Sequence, residues 1–272
     1  MGEGTRMLEI HDLRVVYPNG YEALKSVSFT AGEGEIVALI GRSGAGKSTI
    51  LRCVNGLQPV TAGRILLNGV DVGSLGEEEI RRLRRKIGFI WQEYNLVERL
   101  TVIKNVLSGR LGYTERVPSC CHWFDRGHRE IAVSSLEKVN MLHRATQRAD
   151  RLSGGEKQRI AIARALAQEP ELILADEPVA SLDIELSRQV MSDLVRVSRQ
   201  QRVPTLISIH DVDLARTFCD RLIGLAQGNV VFDGPPRDLT EPVLDRIYRF
   251  DRPLDLPVPV PGQAAAMAGV GA

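Results

Sequence analysis

Three short stretches of this chain hold residue types that could do chemistry together. The first is GRSGAGKST at 41–49, directly behind the apolar run EIVALI. Gly41, Gly44 and Gly46, spaced by Arg42, Ser43 and Ala45, let a backbone turn tightly enough for successive N–H groups to face the oxygens of a nucleotide's phosphates. A helix starting near Lys47 adds the positive end of its dipole. Lys47 supplies a charge for the β and γ phosphates, and the Ser48 hydroxyl, with Thr49 beside it, suits Mg²⁺. The second stretch, LILADEP at 172–178, ends a buried apolar run in two acids. There Asp176 would hold Mg²⁺ through water, and Glu177, one step further out, would polarise an attacking water. The third is RLSGGEKQRIAIARAL at 151–166. Ser153, Gly154 and Gly155 open a helix, which again offers free N–H groups to an anion. One phosphate loop already surrounds the nucleotide from one side, so this second anion site is expected to serve a nucleotide held by another copy of the chain.

The elements that must position these residues can be read from periodicity. Leu8, Ile10, Leu13 and Val15 alternate with polar residues, as do Leu24, Val27 and Phe29, which predicts two strands with one wet face. From Glu35 onward come continuous apolar runs: IVALI at 36–40, IGFI at 87–90, LILA at 172–175, TLISI at 205–209 and LIGLA at 222–226. Such runs suit strands buried on both faces of a parallel sheet. Between the last runs, Leu186, Val190, Leu194 and Val197 share one face of a helix. Strand and helix alternate, so the class is α/β, with an antiparallel addition at the front. Residues from about 101 to 168 show helical patterns and no buried-strand run, which predicts a helical lobe inserted into the α/β core. The last 22 residues, 251–272, are dominated by Pro, Ala and Gly and read as a mobile tail.

Composition removes several functional classes. The chain has 272 residues, 43% hydrophobic and 25% charged, with a formal charge of +1. It therefore offers no bulk attraction to nucleic acid or to an anionic membrane, and no nucleic-acid partner is expected. No apolar run approaches the roughly 18–20 residues that cross a bilayer, and the start MGEGTRMLEI lacks a secretory core, so a cytosolic protein is expected. The four cysteines, Cys53, Cys120, Cys121 and Cys219, do not form a disulfide framework by number or spacing. The run CCHWFDRGH contains Cys120, Cys121, His122 and His128, yet lacks the usual C-x₂-C or H-x₃-H spacing of zinc ligands, and a thiol patch is the expectation.

The phosphate loop, LSGGEKQR, LILADEP, the SLD at 181–183 and the His210 that follows TLISI together resemble an ATP-binding cassette (ABC) ATPase over about residues 7–250. The resemblance implies a P-loop NTPase core with an N-terminal antiparallel β subdomain and an inserted α-helical lobe, with ATP and Mg²⁺ as cofactors. It further implies that Tyr17 stacks on adenine, that Gln92 senses Mg²⁺ and the attacking water between the lobes, that Asp183 crosses a dimer seam, and that His210 contacts the γ-phosphate. Glu156 and Lys157 stand where related chains often carry glutamine, while Ser153, Gly154 and Gly155 keep the family's pattern.

Two copies arranged head to tail would trap two nucleotides, with ATP as glue and hydrolysis as release. Only about sixty residues separate Gln92 from Ser153, too few for the long coiled coils of related DNA-repair ATPases, and one cassette is present rather than two. A separate ATPase subunit docked on an integral membrane permease, at the cytoplasmic face of a bacterial inner membrane, is therefore expected, serving an extracytoplasmic solute-binding protein indirectly. NVLSGRLGYT, QRADRLSGG, ADEPVASLD and LDRIY resemble the ATPases of phosphonate importers. The alternatives are an ATPase of a soluble carbon–phosphorus lyase complex, or an importer ATPase for phosphate, phosphite or another small anion.

Overall fold

The structure is a computed structural model, and it describes residues 6–114 and 124–249. The tail and the segment holding Cys120, Cys121 and His122 lie outside the described residues. A ten-stranded sheet organises the chain in the order β5-β4-β1-β2-β10-β9-β3-β8-β7-β6. Its strands are β1 (Arg6–Val16), β2 (Glu22–Gly32), β3 (Ile36–Ile40), β4 (Ala62–Leu67), β5 (Val70–Asp71), β6 (Ile87–Ile90), β7 (Leu172–Asp176), β8 (Thr205–Ser208), β9 (Arg221–Ala226) and β10 (Asn229–Gly234).

The run β9-β3-β8-β7-β6 is parallel throughout, and it is built from the five continuous apolar runs. These strands alternate between two cores. Ile36, Ala38 and Ile40 point into one, and Val37 and Leu39 into the other, all fully buried. The antiparallel part, β1 with β2 and β4, joins the parallel part through β10, which meets β2 at Asn229 and Ser26 and runs antiparallel to β9. Strands β4, β5 and β10 carry weak or short alternation and are additions to the sequence-based expectation.

The apolar spacing of β1 shifts frame between Ile10 and Leu13, which a regular strand cannot accommodate, because side chains alternate with period two. The structure resolves this with a register shift between those residues. Asp12 sits there at φ 47°. Its N–H donates to Ser28 Oγ at 2.8 Å. The irregularity returns Leu13 and Val15 to the buried face, as a β-bulge does.

Eight α-helices are found among the described residues: α1 (Lys47–Val54), α2 (Glu77–Arg85), α3 (Val102–Leu107), α4 (Arg126–Lys138), α5 (Gly154–Leu166), α6 (Ile184–Gln201), α7 (Val212–Phe218) and α8 (Glu241–Tyr248). Helix α1 stops before the KSTILRCVNGL pattern is exhausted, because Gly56 turns left-handed at φ 63°. Helices α3, α4 and α5, with a 3₁₀ segment at Ser108–Tyr113, lie between β6 and β7. Val102, Val106, Ala132 and Leu136 of this helical part join the same apolar cluster as Ile173 and Ala175 of β7. No helix among the described residues is long and apolar enough to cross a membrane.

Candidate nucleotide and catalytic site

Parallel strands deliver their chemistry at their carboxyl ends, and the first two motifs meet there. The phosphate loop leaves β3 and enters α1 at Lys47. Two of its glycines are required by space as well as by conformation. A Cβ on Gly41 would stand 2.3 Å from the Leu225 carbonyl oxygen of β9, and one on Gly46, at φ +108°, would stand 2.5 Å from Leu24 Cδ2. The loop is thus wedged between β9 and β2, and any side chain would push it out. Lys47 is 4% exposed. Its Nζ donates to the carbonyls of Gly41 at 2.8 Å and Arg42 at 3.0 Å. Burial lowers its pKa, opposed by the carboxylates of Glu177 and Asp176. An ammonium under that strain is placed to accept a phosphate as a better counter-charge than carbonyl dipoles.

Asp176 ends β7 and is 6% exposed. Ser48, in the first turn of α1, donates to Asp176 Oδ1 at 2.8 Å. This pair of hard oxygen donors beside a phosphate loop fits Mg²⁺, which takes few protein ligands and fills its shell with phosphate oxygens and water. No group of three or more His, Cys, Asp or Glu side chains suited to a metal occurs among the described residues. His128 of the CCHWFDRGH stretch instead accepts from Arg110 Nε through Nδ1 at 3.2 Å. Cys53 and Cys219 are buried free thiols whose pKa burial pushes up to about 12.

Glu177 lies one residue beyond β7 in a left-handed conformation, φ 48°. Its N–H donates to the Ser208 carbonyl at 3.1 Å, which anchors the turn to β8. Its Oε1 lies 2.5 Å from Nε2 of His210. A carboxylate only accepts, so Nε2 carries the proton. The two groups predicted to act on water and on the γ-phosphate are therefore in direct contact.

Tyr17, just past β1, places its hydroxyl 3.3 Å from Thr49 Oγ1. Its ring stacks on Tyr21, centroids 6.4 Å apart and planes 12° from parallel. Tyr21 in turn donates to the Gly44 carbonyl at 3.3 Å. Sequence reasoning missed Tyr21, although a second aromatic four residues on across the turn PNG was a usable signal.

Gln92 is exposed, two residues past β6. The chain after it is pinned to the third motif. Arg164 of α5 donates to the Tyr94 carbonyl at 2.7 Å and to that of Asn95. A Cβ on Gly154 would lie 3.1 Å from the Tyr94 hydroxyl oxygen. Arg164 was also missed; its signal is a lone cation in the apolar helix pattern IAIARAL.

In the third motif, Ser153 caps α5. Ser153 N–H donates to Glu156 Oε2 at 2.9 Å, and Glu156 N–H to Ser153 Oγ at 3.4 Å. This is a capping box, so the departure at Glu156 has a local purpose. Lys157 pairs with Glu98 at 3.3 Å. Asp183 caps α6, accepting from Leu186 N–H at 2.9 Å. Gly155 abuts Leu186 of that same helix. Ser153, Gly154, Gly155 and Asp183 therefore form one cluster, and no hydrogen bond or ion pair among the described residues joins residues 43–49 to residues 152–156.

Comparison with known proteins gives the family. Residues 24–180 match the family model described as ABC transporter. The chain is 52% identical to the phosphonates import ATP-binding protein PhnC of Chromohalobacter salexigens, over 89% of each chain. It is 48% identical to the protein of the same name from Alcaligenes faecalis, over 97% of this chain and 98% of that one. Among solved structures, the ATP-binding cassette MJ0796, dimeric and bound to ADP and Pi in a post-hydrolysis state, superposes with a TM-score of 0.73 at 32% identity, covering 85% of this chain and 99% of that one. CbiO1 of Clostridium perfringens, part of the ABC transporter complex cbiONQ, gives a TM-score of 0.77 at 27% identity over 89% and 93%. With phosphate loop, acidic strand end and capped Gly-Gly helix in one chain, and relatives matched along nearly its whole length, the chain belongs to the ABC transporter family, as an ATP-binding and ATP-hydrolysing cassette.

Proposed function

We propose that this cassette is the energy-coupling subunit of a phosphonate importer, working as a head-to-tail pair on an integral membrane permease at the cytoplasmic face of a bacterial membrane. The observation that carries the cargo is the name its relatives bear, phosphonates import ATP-binding protein, at 48–52% identity over 89–97% of the chain. Those names favour import over service to a carbon–phosphorus lyase complex. An extracytoplasmic solute-binding protein would deliver cargo to the permease without touching this chain. The cassette is read as residues 7–250, with its helical lobe at about 101–168 and a tail at 251–272.

The chain's own residues would act as follows. Tyr17 stacks on adenine. The N–H groups of Gly41, Arg42, Ser43, Gly44, Ala45, Gly46 and Lys47 cradle the phosphates, with Ser48 and Thr49 at the start of α1. Lys47 exchanges its loop carbonyls for phosphate oxygens. Ser48 and Asp176, with Gln92, would hold Mg²⁺. When bound, that ion neutralises charge developing on the phosphate oxygens. Glu177 accepts the proton of the attacking water, and His210, in contact with it, fixes its orientation and reaches toward the γ-phosphate. Ser153, Gly154, Gly155 and Asp183 of a second copy close the site. MJ0796, a solved relative, is dimeric with ADP and Pi, which supports that pairing.

Deletion of the gene should abolish growth on a phosphonate as sole phosphorus source while growth on phosphate continues. The parent chain, but not Glu177→Gln, should restore uptake of labelled phosphonate. Normal phosphonate uptake in the deletion strain would overturn the cargo, and failure to co-purify with any permease from solubilised membranes would overturn the docking.

A further inference from the structure

Ser208 is the last residue of β8 and is fully buried, yet its hydroxyl has no hydrogen-bond partner among the described residues. Its place in the sheet is specific. In the parallel ladders it is the register partner of Asp176 on β7 and of Leu39 on β3. Register partners on adjacent strands present their side chains on the same face. The cores confirm which face this is. Leu206, Leu174 and Leu39 belong to one apolar cluster together with Ile50 and Leu51 of α1, whereas Ile207 and Ala175 belong to the other. By the period of two, Ser208 follows Leu206 and Asp176 follows Leu174. The hydroxyl thus stands under the start of α1, on the side from which Ser48 reaches Asp176. Strands lie about 4.8 Å apart, so a rotation about χ1 covers the distance between neighbouring side chains.

A buried orphan hydroxyl is expensive to keep, and apart from Asp176 the neighbouring positions of this face are apolar, Leu39, Leu174 and Leu206. Thr205, the other polar residue of β8, differs in donating to the Val203 carbonyl at 3.3 Å. Asp176 has Oδ1 engaged by Ser48, and its other oxygen accepts no hydrogen bond from a described side chain.

We propose that Ser208 is a further positioning residue of this ATPase: its hydroxyl donates to the free oxygen of Asp176 when a divalent cation and nucleotide are bound, and so fixes the carboxylate that serves the cation. This rests on the role proposed for Asp176. Ser208 touches neither cation nor nucleotide; it acts through Asp176.

The test uses the full chain in the Glu177→Gln background, so that ATP persists, with Mn²⁺ as the probe. Mn²⁺ binding to the ATP complex is followed by electron paramagnetic resonance, ATP binding is measured separately in EDTA, and the nucleotide-free protein is melted. Groups that hydrogen-bond a metal's ligands typically change its affinity by about tenfold or more when removed. Ser208→Ala should weaken Mn²⁺ about tenfold, leave ATP binding in EDTA unchanged, and leave the melting temperature of the nucleotide-free protein equal or higher, since an unpaired buried hydroxyl is gone. Ser208→Thr, and Ser208→Cys should the extra methyl disturb packing, should retain more Mn²⁺ affinity than Ser208→Ala. Parental Mn²⁺ affinity in Ser208→Ala would overturn the proposal. A loss accompanied by a lowered melting temperature in all three variants would also overturn it, by making Ser208 a packing residue. Asp176→Asn separates the two levels. If it keeps parental Mn²⁺ affinity, the role of Asp176 falls; if it loses Mn²⁺ while Ser208→Ala does not, only Ser208 falls.

Discussion

Gly46 and Gly155 each stand at the start of a helix in a motif proposed to bind an anion, and neither has room for a side chain, but what crowds them differs. A Cβ on Gly46 would stand 2.5 Å from Leu24 Cδ2 and 3.0 Å from the Ala23 carbonyl oxygen, at φ +108°. A Cβ on Gly155 would meet three atoms of one side chain, Leu186, at 2.5 to 2.6 Å, with ordinary helical backbone. The phosphate loop is therefore fixed by an unusual dihedral and by a carbonyl as well as a side chain, whereas the Ser153 motif rests only on the side chain of a neighbouring helix. Lys47 is tied to the Gly41 and Arg42 carbonyls of its own loop, and Ser48 to Asp176 of β7. Ser153 and Asp183 are instead engaged as caps of their own helices, α5 and α6. On the proposed function, the half that would grip phosphate is fixed through its own backbone, and the half that would meet and leave a partner is seated on a side chain that can rotate.

The largest effect is expected when hydrolysis is stopped, because ATP should then keep the phosphate loop of one copy and the Ser153 motif of the other together. A general base contributes about 10²–10⁴ in rate, so Glu177→Gln should cut turnover by that range while sparing ATP binding. In size-exclusion chromatography with ATP it should elute as a dimer. Adding Ser153→Arg should return it to monomer by filling the opposing anion site. Near-normal hydrolysis removes Glu177 from the mechanism, and a dimer indifferent to Ser153→Arg removes the shared site.

Next in size is the grip itself. Truncating one member of a buried, hydrogen-bonded charge pair costs about 2–5 kcal/mol of binding, so Lys47→Ala should weaken MgATP at least roughly thirtyfold in calorimetry. Its circular dichroism should match the parent. Unchanged affinity would mean that the loop's N–H groups suffice without the ammonium.

The glycines themselves then rank the two halves by stability. Gly46→Ala combines a disfavoured backbone, about 1–3 kcal/mol, with a clash against carbonyl and side chain. A fall in melting temperature of roughly 4 °C or more is expected, at about 2–4 °C per kcal/mol for a chain of this size. For Gly155→Ala the clash is offset by about 1 kcal/mol of helix propensity and by rotation of Leu186, so the shift should be under about 4 °C. Equal shifts would erase the distinction between a backbone-held and a side-chain-held half.

How far the sequence reveals this arrangement depends on whether a feature is local. The five apolar runs became the five parallel strands within a residue at their ends, because burial on both faces leaves an uninterrupted signal. The positions of Lys47, Asp176, Ser153 and Asp183 were equally readable, since each marks a strand end or helix start that its own neighbours dictate. Strands β4, β5 and β10 were not, because their identity comes from pairing with residues far along the chain. Ser208 went unmarked for the same reason: in the run TLISI it is one polar residue, and only the ladder puts it beside Asp176. Tyr21 and Arg164 likewise gain meaning from the Gly44 and Tyr94 carbonyls they reach.

The smallest expected effect concerns what holds the Ser153 half in shape between encounters. Burial raises the pKa of Glu156, but hydrogen bonds from Ser153 and the nearby Arg144 outweigh it, and the net shift is downward. A carboxylate with a folded-state pKa below its unfolded value stabilises the fold above the unfolded pKa, about 4.3, and loses that contribution as pH falls through the folded one. Glu156→Gln keeps a side chain able to close the capping box and removes the charge. The side chain is partly exposed and its Arg144 partner more so, at 22% and 42%, so solvent screening keeps the effect small, under about 1 kcal/mol. At pH 7 the variant should melt a few degrees at most below the parent, and the gap should close as pH drops below about 4. A gap that stays constant to pH 3 would mean that size and shape at this position matter and charge does not. In that case the Ser153 half is held by its capping hydrogen bonds and by packing on Leu186, with no contribution from charge.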